Sequence, residues 1–317
     1  MDRILSAFQI FKLGYFVYLL LAIGVALALV LLLRKLEDKN RLIAKIAIIS
    51  AIGFFCILEF VGRLVENKTI KLGDQMPFEL MDVFAVLSIV MFFAKKPNLK
   101  KFGYLIIAPV SLYSMIFVPN MYQGLDTISL AVLSFYLLQS LLISNSILNM
   151  LWDEEDLEKK DILNSSITYL IIVSSAHLIN VIFRFSALGV HANYMGTMGE
   201  EFDVIIKLLY KLIPIPFVCI LPLVAVLVGI EFLLILPFDL IKTKKKNQSE
   251  IEELIALGNL KAQAEYRKTH KSSGSQILVR SEVKASPKTD KNVGSTNKEG
   301  FVETTKQVKV NTEKKED

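Results

Sequence analysis

Residues Leu13–Lys35 read LGYFVYLLLAIGVALALVLLLRK, an uncharged apolar run closed by Arg34 and Lys35. A bilayer core of about 30 Å takes roughly 20 apolar residues of α-helix, whereas the core of a signal peptide is about 7–15 residues long. The run is expected to remain as a first transmembrane span, although the small residues of Ala22–Val30 imitate a cleavage site. The rest of the chain extends this reading. Of 317 residues 53% are hydrophobic and 21% charged, and the mean hydropathy of +0.48 exceeds that of soluble domains. About seven runs are long enough to cross a membrane: Leu13–Leu33, Ile43–Val65, Phe78–Ala94, Tyr104–Val118, Leu125–Leu148, Ile167–Leu188 and Ile213–Phe238. The fourth is short and carries Pro109. The expected class is an all-α polytopic membrane helix bundle over residues 1–241.

Loop charges suggest the orientation. Arg34, Lys35, Lys39, Arg41 and Lys45 follow the first run, Lys95, Lys96, Lys100 and Lys101 the third, and Lys242, Lys244, Lys245 and Lys246 the seventh. The turn after the fourth has neither Lys nor Arg. Alternate loops therefore share one side, which places the N-terminus outside the cell membrane and the C-terminus in the cytoplasm. Beyond the last run, residues 242–270 form a juxtamembrane basic segment. A short helix is expected there, because Ser249 and Glu252 have capping-box spacing. Residues 271–317 are rich in Lys, Ser, Thr, Asn and Glu, and bury too little apolar surface to offset ordering entropy. A disordered cytoplasmic tail is expected.

Cys56 and Cys219 give no disulfide framework and no metal spacing, and no phosphate-binding or nucleophile-elbow motif occurs. No cofactor and no metal are expected. The net charge of +5 sits mostly in loops and tail, without the interleaved aromatics of a nucleic-acid surface. Membrane lipids are the expected partners.

Polar residues within the runs carry more information, since ionisable groups in lipid face a partner, a cavity or a site. Glu59 and Arg63 have the spacing of a helical ion pair. Glu79 and Asp82 open the third run. His177, Asn180 and Arg184 share one face of the sixth. All fall in the outer half of the membrane on the assigned topology, so the carboxylates are expected to meet Arg63 and Arg184 in a polar pocket. Such a pocket either holds a ligand or fixes helix packing. Gln139, Ser140, Asn145 and Asn149 read as helix–helix hydrogen-bonding groups.

The strings MPFELMDVFAVLSIVMFF (76–93), YLIIAPVSLYSMIFVPN (104–120), HANYMGT (191–197) and PIPFVCILPL (214–223) resemble, in order, the bacterial YwaF family of integral membrane proteins. That family is itself similar to eukaryotic transmembrane acyltransferases of lipid remodelling. Asn193 and Tyr194, with Met195 and Gly196, are the most specific part. The resemblance implies a Pro-Leu-His-Leu-Cys string at the head of the third run, its Cys resembling an acyl-accepting nucleophile. Here Glu79 holds the histidine position and Met81 the cysteine position, and Gln139 aligns with a further family histidine. A thioether has no proton to lose, and an amide is no base at neutral pH. The expected function is a non-catalytic relative that binds a lipid or other amphiphile. The alternatives are an acyltransferase with a displaced site or a solute-binding transport component.

Overall fold

A run rich in Ser, Asn and Gln ends up deepest. In lipid an outward leucine is as well solvated as an inward one, so the interior of a bundle goes to small residues and to polar groups that find partners. The computed structural model describes residues 8–9, 11–66, 78–94, 96–126, 128–153, 155–185, 192–198 and 202–270. Its helices, in chain order, are α1 (Leu13–Leu33), α2 (Asp38–Glu66), α3 (Leu80–Ala94), α4 (Pro97–Phe102), α5 (Ala108–Ile116), α6 (Leu130–Trp152), α7 (Lys159–Phe185), α8 (Val204–Leu212) and α9 (Leu221–His270). No strand occurs among the described residues. Six helical stretches are long and apolar enough to cross a membrane: α1, α2, Pro97–Ile116, α6, α7 and Val218–Leu240. The shorter apolar helix α3 makes a seventh.

Helix α6 is the axis, packed by α1, α2, α3 and α5. Ser134, Gln139, Ser140, Ser144, Asn145 and Ser146 on it are all buried. Ser140 donates to the Ala22 carbonyl of α1 at 3.0 Å and Ser144 to that of Ala26 at 3.3 Å. Alanines at those two positions let the backbones approach. Helix α1 turns its leucines outward, Leu13, Leu20 and Leu32 being about 70% exposed, as a lipid-facing surface requires.

Prolines and caps set boundaries that hydropathy does not. Gly103–Ile107 is a π-helical turn just ahead of Pro109, joining α4 to α5 in one span. Such a turn rearranges the backbone bonding that a proline interrupts. The fifth span begins at Leu130, later than the apolar run, because Ser129 caps it by accepting the Val132 amide at 3.0 Å. The last run is broken near Pro214 and Pro216, where Phe217 adopts φ 65°, so α9 starts at Leu221. Helix α8 was not anticipated by its apolar length. Asp203 caps it by accepting the Ile206 amide at 2.8 Å, although burial pushes the Asp203 carboxyl up.

Two compact units divide the chain, residues 1–255 and 256–317. In the second, the described residues are the end of α9. That helix continues through Ser249 without interruption, so the expected short helix is the extension of the last one. The expected disordered tail lies outside the described residues.

One end of the bundle carries the loops that follow α1, α3 and α6, as the charge pattern requires. Lys45 and Lys100 both pair with Asp153, at 3.0 and 2.9 Å, and Lys100 also reaches Glu155 at 3.2 Å. Lys101 pairs with Asp161 at 2.9 Å. Arg41 and Trp152 exchange contacts with the same turns, the indole donating to the Leu33 carbonyl at 3.0 Å. Partial burial pushes the Asp153 carboxyl up, but hydrogen bonds from Lys100 and Lys45 outweigh it and hold the group below the usual range. The folded state thus binds this proton less readily than the unfolded chain. Its stabilisation is complete above an ordinary aspartate pKa of roughly 3.9 and disappears as pH falls through the lower folded value. Asp153→Asn is expected to lower the thermal midpoint in detergent at pH 7. The difference from wild type should shrink as pH falls through the lowered folded value; a gap unchanged by acid would show that the lysines do not act through this charge.

Candidate functional site

The site begins with a close helix crossing. A methyl group on Gly62 would come 2.7 Å from the Ala131 backbone nitrogen, so glycine lets α2 lie against the start of α6. Arg63 follows Gly62 directly on α2, and Glu59 stands about one turn before it. Arg63 Nε lies 2.6 Å from Glu59 Oε1, and Nη2 lies 3.4 Å from Asp82 Oδ2 on α3. Arg63 is 1% exposed and Glu59 is fully buried. The Tyr122 hydroxyl donates to Glu59 Oε1 and also reaches the Met81 sulfur at 3.4 Å. Cys56 donates to Asp82 Oδ1 at 3.7 Å.

A second layer comes from the turn after α7. Asn180 is buried on that helix. Its side-chain nitrogen donates to the Tyr194 carbonyl at 3.0 Å and to Thr197 Oγ1 at 2.7 Å, while its oxygen accepts the Tyr194 amide at 2.9 Å. Asn193 accepts the Met198 amide at 2.9 Å. The turn so held has φ 56° at Met195 and φ 65° at Gly196. A methionine in the left-handed region is strained. The reward is that the Met195 amide points at Glu79 Oε2, 3.4 Å away. Gly196 has no room for a side chain, since an added methyl would lie 2.6 Å from Ile206 Cδ1 and 2.8 Å from the Phe202 ring.

Beside these layers is a cavity of about 110 Å³. Glu79, Met81, Gln139 and Met195 line it, together with apolar side chains of α5, α7, α8 and α9 that include Val110, Val173, Ile206 and Leu227.

The structure therefore brings Glu59, Arg63, Glu79 and Asp82 together and joins Asn180, Asn193 and Tyr194 to them through the 194–197 turn. Of the expected meeting of the carboxylates with two arginines, the structure shows Asp82 on Arg63, while Glu79 accepts the Met195 amide. Arg184 is half-buried, one turn beyond Asn180 on α7. His177 has its ring centroid 5.2 Å from that of Phe217 in a tilted contact, and is not among the residues that line the cavity. His191 and Pro77 lie outside the described residues. Ser140 forms the helix–helix bond expected of it, and Asn149 donates to Asn145 at 3.1 Å along α6. Gln139 faces the cavity. Sequence reasoning passed over Tyr122, which sits in a loop without periodicity. It also passed over Tyr113, whose hydroxyl donates to Asp203 at 2.9 Å. Glu231 was missed too: it is fully buried in α9 and accepts the Ser166 hydroxyl at 3.0 Å. A carboxylate inside an apolar run was the available signal.

Buried ion pairs, helices that bury polar faces and expose leucines, and a cavity within the bundle define a polytopic helical membrane protein with an interior polar site. Its family follows from comparison. A model of the TMEM164 family matches residues 7–236, and the chain belongs to that family. No curated protein and no solved structure matches it.

Removing the guanidinium strands two buried carboxylates. Arg63→Met is expected to destabilise by about 3–5 kcal/mol, read from thermal unfolding in detergent. Glu59→Gln added to that variant should recover part of the loss. Strictly additive losses would mean that the two side chains do not share their environment. Asn180→Leu removes three buried hydrogen bonds to the 194–197 turn, which should lower stability by about 1–3 kcal/mol.

Proposed function

We propose that this TMEM164-family protein binds a lipid or other amphiphile in the cavity and does not itself transfer acyl groups. One observation carries the reading. Glu79, Met81 and Gln139 line one cavity, and these are the three positions at which the resemblance to the YwaF family implies histidine, cysteine and histidine. Residues from α3 and α6 that are far apart in sequence converge as members of one site should, yet their side chains lack a thiol and an imidazole. A thioether cannot become a nucleophile and an amide cannot relay a proton. Neither cysteine compensates, since Cys56 is bonded to Asp82 and Cys219 is buried within a hydrophobic cluster, and neither lines the cavity. What persists is a mostly apolar chamber with a polar end, the form of site that takes an amphiphile. In this reading the protein sits in the cell membrane with its N-terminus outside, which puts the cavity toward the outer leaflet and within reach of membrane lipids.

Mass spectrometry of lipid extracted from the purified protein tests the reading. Wild type is expected to retain a defined lipid or amphiphile, and Leu223→Trp, which fills the cavity from its lining, should reduce retention by roughly tenfold, equivalent to about 1.4 kcal/mol. Equal retention by a folded variant overturns amphiphile binding in this cavity. Transfer of a labelled acyl chain from phospholipid to lysolipid by wild type would overturn the non-catalytic part.

A further inference from the structure

Among the described residues, the cavity offers acceptor oxygens and no cation: its polar lining is Glu79, Tyr113, Ser114, Gln139 and Tyr169, with no Lys, Arg or His. The Tyr113 hydroxyl is committed to Asp203. Charges near Glu79 are Arg63, Asp82 and Glu59, and Arg63 is already held by Glu59 and Asp82 at 2.6 and 3.4 Å. Among the described residues, three carboxylates thus share one guanidinium, and Glu79, the one that lines the cavity, receives the Met195 amide at a long 3.4 Å. Independently, Gln139 is 2% exposed and its side-chain oxygen has no hydrogen-bond partner. A buried unpaired polar group carries a penalty of about 1–3 kcal/mol, which a donor from a ligand would relieve.

Resting on the amphiphile-binding reading above, we infer that the occupant is a single-chain amphiphile with a primary ammonium head. An ammonium group has three donors and no acceptor. It supplies one hydrogen bond to the Glu79 carboxylate, one to the Gln139 oxygen, and the positive charge that the local carboxylates lack. Its chain lies along Val110, Phe135, Val173 and Leu227. A carboxylate or phosphate head in the same place meets Glu79 with no lining cation to offset the repulsion, and burying an unpaired charge is the most costly arrangement available. An alcohol can donate a single hydrogen and leaves the excess charge in place.

Binding of decylamine, decanol and decanoic acid to the protein in non-ionic detergent separates these cases, with Leu223→Trp run in parallel to subtract partition into micelles. Decylamine is expected to bind at least about tenfold more tightly than either of the others. Glu79→Gln should bring the amine to within about threefold of the alcohol. Gln139→Leu, an apolar exchange that keeps the charge cluster intact, should weaken the amine about threefold and leave the alcohol within that margin. Equal binding of the three compounds, abolished by Leu223→Trp, overturns the ammonium assignment and leaves the amphiphile cavity standing. An amine preference that survives both Glu79→Gln and Gln139→Leu also overturns the assignment. Failure of all three to bind in a manner sensitive to Leu223→Trp overturns both readings.

Discussion

The bond between Arg63 and Glu59 governs the interior of this protein. A guanidinium and a carboxylate removed from water each carry a desolvation penalty of several kcal/mol, which only close pairing and further hydrogen bonds offset. Glu59 and Arg63 supply the close pairing within one helix, and the pair draws further partners from its neighbours. Asp82 must come to Arg63 from α3, and Tyr122 must bring its hydroxyl to Glu59 from the loop before α6. Gly62, on the same turn of α2, allows the required approach to α6. One ion pair thus ties three spans and a loop, and the position of Met81 beside Tyr122 follows from it.

Much of this was legible in the chain. Leu13–Leu33 is a span with identical limits in sequence and structure, because nothing but apolar length decides it. The Glu59–Arg63 pair follows from helical spacing alone. The clustering of Glu79 and Asp82 with Arg63 follows from the rule that charges in lipid seek each other. Legibility failed where backbone geometry, and not hydropathy, set the outcome. The apolar run at Ile213 looked like the start of a span, but Pro214, Pro216 and the left-handed Phe217 delay the span to Val218 and its α-helix to Leu221. Gln139 read as a helix–helix donor like its neighbour Ser140. One step along the helix rotates a side chain by about 100°, enough to aim one at the Ala22 carbonyl and the other at the cavity.

The 194–197 turn shows why a loop motif was the most specific string in the sequence. Asn180 uses both its donor and its acceptor on this turn, which over-determines a backbone that would otherwise relax out of the left-handed region at Met195. Strain of this kind persists when surrounding contacts hold it, and here it directs an amide at Glu79. Asn180 therefore acts on the cavity at one remove: it positions the turn, and the turn positions a hydrogen bond.

A chamber with unsatisfied polar groups at one end has a physical consequence. A helix bundle that needed only mechanical stability would be served by apolar packing at Glu79 and Gln139, because replacing buried polar groups with well-packed hydrophobic ones is often neutral or stabilising. Instead, among the described residues, Glu79 accepts a long hydrogen bond from the Met195 amide and the Gln139 side-chain oxygen has no partner, and both residues line the cavity between helices. Polar groups in that condition lower the stability of the empty protein and gain it back when a complementary donor arrives. The imbalance of three carboxylates against one guanidinium works in the same direction, since it makes the interior receptive to positive charge. On the proposed reading, the site is costly when empty and satisfied when filled, and its deficits specify the chemistry of what it binds.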